Sequence, residues 1–371
     1  MHIGIDGNEA NQPIRVGVGQ YAYNLLSQLS QLSRPHHHYT IYLKSPPEKD
    51  LPPVSPTWKY VIFGPSKLWT KFALPLHLWC QSPKPDLFYT PSHYSPSFSP
   101  ITTIPTIHDL GYLDSQDQFT QKDLYQLINW TKESIARAKH LVAVSEFTKS
   151  EIQRIYHINP NQISVIPNGV GDIAPITPIQ KQAVINKFQL PAKYFLYLGT
   201  LKPNKNIPFL IKSFSLFRQT HPQHSPLKLV IVGKKGWLFE DIFQVVQQQN
   251  LQNQVIFTDY VSQSEKWAIM SGAQAFIIPS TYEGFGIPAI EAMKMNIPVI
   301  ASNIPAFKEV AQKAALYIDP ADPQTLVEAM VKILTPTVRQ QLIQNGVIRA
   351  QKYTWSASAQ KLLNLFDRFS S

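Results

Sequence analysis

Apolar residues along this chain gather in short continuous blocks, separated by longer stretches of helical period. Blocks at 2–6, 39–43, 86–90, 102–107, 141–144 and 163–166 predict strands in the first half. Those at 194–198, 228–232, 255–257, 275–278 and 298–301 predict strands in the second. Helical periodicity lies between them: around Tyr23, Leu25, Leu26 and Leu29, over 120–138, from an N-cap at Ser145 to about Tyr156, and over 208–218. Further helices are predicted at 288–295, 306–312, 323–334, 336–351 and 355–369. Strands alternating with helices make parallel sheets, so both halves read as α/β. Residues 45–57 are proline-rich and read as a loop. A proline-bearing connector at Thr177–Pro178 places a domain boundary near 170–180.

Length and composition agree with two globular domains. The chain has 371 residues, 44% hydrophobic and 16% charged. No apolar run approaches the roughly 18–20 residues that span a bilayer. The start, Met1 to Asp6, lacks a basic segment followed by a long apolar one, so no signal peptide is expected. The single cysteine, Cys80, excludes an intrachain disulfide and a cysteine-based zinc site, and a cytoplasmic location is the simplest expectation.

The net charge of +10 is unevenly spread. Residues 1–172 carry 14 Lys/Arg against 13 Asp/Glu, and the remainder 20 against 11. From Ile173 to Phe239 there are ten basic residues and no acid. No nucleic-acid motif accompanies them, so nucleic acid is not an expected partner. A half that attracts a nucleotide diphosphate accounts for the asymmetry, and a solvated lysine face accounts for part of it.

The stretch Glu283-Gly-Phe-Gly-Ile-Pro-Ala-Ile-Glu291 carries the sharpest chemistry. It follows the apolar block 275–278 and leads into a helix with Pro288 at its first position, where a missing N–H costs nothing. Amides of Phe285, Gly286 and Ile287 at the helix's positive end would seat an anion, and Gly284 and Gly286 admit close backbone approach. One carboxylate precedes the turn and another is expected in the first helical turn, ready to accept from hydroxyls. Anion seat and paired acids together describe a sugar phosphate; the bland alternative is an ordinary turn with surface glutamates.

Other strand ends carry candidate groups. Asp6-Gly-Asn8 ends the first strand, and His93 follows the strand after Asp86. The block at 102–107 delivers His108-Asp109 at its carboxyl end, where open parallel sheets bind ligands. Gly199-Thr-Leu-Lys-Pro-Asn-Lys-Asn206 is a glycine-led, lysine-bearing turn before a helix, again a phosphate geometry. Gly17-x-Gly19-x-x-Ala22 formally fits a dinucleotide fingerprint. It stands too far from its strand, and the next strand ends in Lys44-Ser45 rather than an acid, which argues against a nicotinamide enzyme. The triple histidine at 36–38, with no nearby acid in sequence, reads as a solvent-facing loop. Residues 63–80 mix Trp69, Phe72, Leu76 and Trp79 with Lys67 and Lys71. Such a stretch suits a membrane surface, but packing within the domain is preferred because Pro75 interrupts a long amphipathic face.

The segments 279–291, 105–110 and 199–206 resemble the signatures of retaining glycosyltransferase family 4, and the resemblance extends over essentially the whole chain. It implies the GT-B fold, two Rossmann-like doubly wound parallel-sheet domains facing across a cleft. The expected divisions are an acceptor-binding domain over 1–175, a nucleotide-sugar-binding domain over 176–352, and a helix over 353–371 crossing back to the first domain. Donor-binding positions implied by the likeness are Gly17, Val18, Gly19, Thr200, Lys205, Lys234, Tyr260, Glu283, Gly284, Phe285, Gly286, Ile287 and Glu291. Asn8, His93 and His108 fall on the acceptor side, and His108, Lys205 and Glu283 carry the implied catalytic roles. Many members also have an arginine in the turn near 200. This chain has Thr200 and Asn204 there, so that charge is missing or comes from Lys202 or Arg15.

The function implied is transfer of a hexose, mannose from GDP-mannose first, from a nucleotide sugar to a glycan or lipid-linked acceptor. A UDP-sugar donor and a catalytically silent nucleotide-sugar-binding subunit are the alternatives. No Asp-x-Asp occurs, so neither metal nor other cofactor is expected. Peripheral contact with the inner membrane face stays open.

Overall fold

The computed structural model describes residues 1–32, 34–116 and 119–369. The chain divides into two compact units: Met1–Gly171 together with the segment from Tyr353 onward, and Asp172–Lys352.

In the first unit, β1 (His2–Asp6), β2 (His38–Leu43), β3 (Trp58–Ile62), β4 (Leu87–Thr90), β5 (Thr102–Ile107), β6 (Leu141–Ala143) and β7 (Ile163–Val165) form one parallel sheet. Their order is β3-β2-β1-β4-β5-β6-β7. The chain winds outward one way from β1 and the other way from β4, so the topological switch lies between those strands. Helices α1 (Val18–Leu32), α2 (Leu74–Cys80), α3 (Gln121–Arg137) and α4 (Glu146–Tyr156) make the connections. Ser145 caps α4 by accepting from the Thr148 amide at 2.9 Å. That bond satisfies one of the helix's unpaired amides.

The second unit repeats the plan. Strands β8 (Tyr194–Leu198), β9 (Lys228–Val232), β10 (Val255–Asp259), β11 (Ala275–Ile278), β12 (Val299–Ser302) and β13 (Ala315–Ile318) pair in parallel in the order β10-β9-β8-β11-β12-β13. The switch falls between β8 and β11. Helices α5 (Pro178–Phe188), α6 (Ile207–Thr220), α7 (Glu240–Gln248), α8 (Gln263–Met270), α9 (Ile287–Lys294), α10 (Pro305–Ala311), α11 (Pro323–Ile333) and α12 (Pro336–Ala350) complete it. Its core is aromatic, with Phe195, Phe214 and Phe217 fully buried.

The last helix, α13 (Trp355–Asp367), belongs to the first unit and packs on α1. Ser358 Oγ donates to the Pro167 carbonyl at 2.6 Å, and the Val170 amide donates to Tyr353 O at 2.9 Å. This return overturns the reading of the triple histidine. His37 is completely buried, and its Nε2 lies 2.9 Å from Asp367 Oδ1, with His36 Nε2 at 3.5 Å. Asp367 also pairs with Arg34. The acid that the local sequence lacks arrives from the far end of the chain.

Among the elements that departed from expectation, three have a local physical reason. Strand β3 was not predicted; it is an edge strand, half exposed, and so carries a weak apolar signal. Helix α5 occupies the supposed connector, started by a capping box between Thr177 and Gln180. Pro75 breaks nothing, because it stands in the first turn of α2 behind a π-helical turn, Trp69–Ala73.

Candidate active site

The carboxyl ends of β8 and β11 bring the two most informative sequence segments of the second unit together. Ligands of open parallel sheets bind at such a switch point. The turn after β8 is held low by two glycines: a Cβ on Gly233, whose φ is +151°, would sit 1.9 Å from the Gly199 carbonyl oxygen. The loops after β8 and β11 are then joined by the Thr281 amide donating to Asn204 O at 2.9 Å and Asn204 Nδ2 donating to Tyr282 O at 3.3 Å.

This junction sets Lys205 against Glu283. Lys205 Nζ donates to Glu283 Oε1, and the buried Ser280 hydroxyl donates to the same oxygen at 2.8 Å. The side chains are only 16% and 14% exposed, so water screens the pair weakly. Both bonds converge on Oε1. The ammonium has two further N–H groups, and Oε2 takes part in neither bond. An anion at Lys205 and a hydroxyl at Glu283 can therefore be bound side by side.

Gly286 precedes α9 in the left-handed region, with φ +94°, and a Cβ there would lie 2.5 Å from the Phe307 ring. Glycine is required on both counts. Helix α9 begins at Ile287, so Pro288 takes its second position, one later than expected. Glu291 consequently stands in the second helical turn, correcting its placement in the first. It is also no surface glutamate. Glu291 is 7% exposed and accepts from Lys266 Nζ at 2.7 Å. Lys266 in turn lies 3.9 Å from the centroid of the Trp267 ring. Sequence reasoning missed Lys266, which sits on α8 with no motif around it.

The other donor-side candidates are more scattered. Thr200 O lies 3.4 Å from the Tyr197 hydroxyl, Lys234 is exposed beyond β9, and Tyr260 is exposed beyond β10. Gly284 and Phe285 are buried and Ile287 partly so. Lys202, one expected source of the missing charge, has its ammonium 5.1 Å from the Trp237 ring centroid. Arg15, the other, forms a two-pronged pair with Asp50 at 2.5 and 2.7 Å and donates through Nε to Ala10 O at 2.6 Å. Its guanidinium fastens a loop of the first unit. Gly17 adopts φ +51° just before α1, and Val18 and Gly19 open that helix.

In the first unit, the ends of β4 and β5 assemble a histidine pair. The His108 amide donates to His93 Nε2 at 3.0 Å, and the two rings stack with centroids 5.7 Å apart. His108 Nε2 lies 2.9 Å from the Pro91 carbonyl, which can only accept, so Nε2 carries the proton and Nδ1 the lone pair. Burial, then the neighbouring His93, pushes the His108 pKa down to about 4. The ring is neutral near pH 7. Asn8 is spent internally: its amide groups donate to Asp6 Oδ1 at 2.8 and 3.0 Å, and its Oδ1 accepts from the Lys44 amide at 2.9 Å. It shapes the loop rather than offering a side chain.

Among the described residues, the only cluster of three side chains able to share a metal ion is His36, His37 and Asp367, outside this set.

Two doubly wound parallel sheets, with a lysine–glutamate pair at the switch point of the second, define a GT-B protein. Family models for Glycosyltransferase Family 4 and for Glycosyl transferases group 1 match residues 16–172 and 179–348. The chain belongs to this family and is a hexosyltransferase. It is 27% identical to O-antigen chain mannosyltransferase B of Escherichia coli over 283 residues, 76% of this chain and 74% of that protein. It is 34% identical to O-antigen chain mannosyltransferase RfbU of Salmonella typhimurium over 228 residues, 62% of this chain and 60% of that protein. Among solved structures, Anabaena HepE in complex with UDP and glucose matches with a TM-score of 0.74 over 99% of each chain, at 16% identity. That likeness concerns the fold.

Lys266→Ala takes the ammonium away from the buried Glu291 carboxylate. Donor KM should rise about tenfold with a smaller change in kcat, equivalent to about 1.4 kcal/mol of lost binding. Steady-state rates at varied donor concentration check this; an unchanged KM removes Glu291 from donor binding.

Proposed function

We propose that this enzyme transfers mannose from GDP-mannose to a glycan or lipid-linked acceptor, with retention of configuration and without a metal. The observation that carries the reading is the double anchoring of Glu283 Oε1 by Lys205 and Ser280 at the β8/β11 switch. The mannose assignment draws on the two mannosyltransferase relatives.

In this reading Lys205 meets the donor diphosphate and stabilises the charge that develops as it leaves. Amides around Gly286 assist at the positive end of α9. Glu283 holds hydroxyls of the donor sugar through Oε2, and Glu291, steadied by Lys266, holds the ribose. His108, neutral with its lone pair on Nδ1, contacts the sugar near the reacting carbon and helps orient the acceptor. The bond from the anomeric carbon to the diphosphate breaks, the acceptor oxygen bonds on the same face, and the departing phosphate oxygen takes the acceptor proton. Asn8 and His93 shape the acceptor side, and the reaction takes place in the cytoplasm against the inner membrane face. No helix among the described residues is long and apolar enough to cross a membrane.

A UDP-sugar donor is the second reading, favoured by the UDP and glucose bound in HepE. Thermal unfolding with GDP-mannose, UDP-glucose and a dTDP-sugar separates the two, because only a bound ligand raises the midpoint. GDP-mannose should give the largest rise, and a larger rise with UDP-glucose reverses the assignment. EDTA should leave turnover intact; loss restored only by a divalent ion refutes the metal-free mechanism.

A further inference from the structure

Residues 68–80 of the first unit form two helical turns with sharply different faces. Trp69, Ala73, Leu74 and Leu78 turn inward onto Tyr42 and Phe88. Phe72, Leu76 and Trp79, spaced four and three residues apart, share the outer face and are 60%, 63% and 56% exposed. A second segment extends the same patch: Trp79 Nε1 donates to the Phe98 carbonyl at 2.8 Å, and the Phe98 ring is 68% exposed. Packing and surface exposure are both realised, on opposite sides of one element.

The border of the patch is cationic. Lys84 Nζ lies 5.5 Å from the centroid of the Trp79 ring, and Arg137 Cζ 4.5 Å from that of Phe98. Lys67 is exposed one turn away. From Lys59 to Pro85 there are four lysines and no acid. The adjoining carboxylate, Glu133, is already paired with both Lys71 and Arg137. The near-neutral total for residues 1–172 conceals this local imbalance.

We propose that the face formed by Phe72, Leu76, Trp79 and Phe98 is a docking surface for an anionic lipid bilayer. Exposed aromatic and aliphatic side chains rimmed by lysine and arginine match the boundary between acyl chains and acidic headgroups. A second copy of the chain fits less well. Four side chains of this size present on the order of 500 Å², short of the roughly 800 Å² per partner in a stable protein interface. The surface places a peripheral enzyme where a lipid-linked acceptor resides, yet it stands independently of the donor assignment.

Flotation of the full chain with phosphatidylcholine vesicles, with and without phosphatidylglycerol, tests it. The protein should float with the anionic vesicles only, and its bound fraction should fall as salt rises. Leu76→Ser with Trp79→Ser should cut the partition coefficient at least tenfold, and Lys67→Gln with Lys84→Gln severalfold. The lysine variant should keep the parent's unfolding midpoint, and the Leu76/Trp79 variant should stay folded with at most a small drop. Both of the latter side chains are more than half exposed, and the only hydrogen bond lost among the described residues is that from Trp79 to the Phe98 carbonyl. Failure of the wild-type chain to float with either vesicle, or equal flotation by the Leu76/Trp79 variant, overturns the proposal. Concentration-dependent sedimentation abolished by that variant, without flotation, assigns the face to a second copy instead.

Discussion

Lys205→Ala is expected to lower kcat/KM for the donor by two to three orders of magnitude, about 3–4 kcal/mol of transition-state stabilisation. The ammonium is the only lysine group bonded to Glu283 among the described residues, and the pair is mostly shielded from water. Its removal takes away the cation that the proposed mechanism sets against the departing diphosphate, and one of two donors orienting the glutamate. Glu283→Gln preserves shape but loses the charge, and should cost one to two orders of magnitude by itself. The double variant should lose less than the product of the single effects, because each side chain holds the other. Steady-state rates for all three, with far-UV circular dichroism to confirm folding, check the claim. Wild-type turnover by Lys205→Ala would remove this pair from the reaction.

Gly286→Ala should destabilise the second unit by roughly 2–4 kcal/mol, lowering its unfolding midpoint by roughly 5–15 °C. Two costs add. An alanine at φ +94° is strained, and its Cβ would press within 2.5 Å of the completely buried Phe307 ring. Activity should fall with stability, since the same residue sets the start of α9 beside Glu283. Pairing it with Phe307→Leu separates the terms: relief of crowding should recover part of the loss, while the backbone strain persists. A single variant as stable as the parent would show that the turn can relax away from Phe307.

Much of this architecture was legible beforehand because buried parallel strands are short continuous apolar blocks. β1, β5, β8, β9 and β11 have the predicted limits. Where the burial pattern was one-sided, legibility failed. In β3 only Trp58 is buried, and in α5 only Val184, so neither supplied a strong periodic signal. The capping box at Thr177 and Gln180 was the usable clue to α5. Candidate residues followed the same rule. Glu283 and Lys205 were legible because glycine-led turns at strand ends announce themselves, whereas Lys266 lies mid-helix without any such mark.

By itself, then, the order of apolar blocks and glycine turns determined an α/β protein of two halves and the strand ends that bear chemistry. Local sequence suffices there, because strand period, turn glycines and caps are set by neighbouring residues. Tertiary structure alone decided the partners: Lys205 with Glu283, Lys266 with Glu291, His93 with His108, and Asp367 with His37. Those pairs join residues from 15 to 330 positions apart. A parallel sheet brings distant strand ends together through its winding order, which no local window of sequence contains.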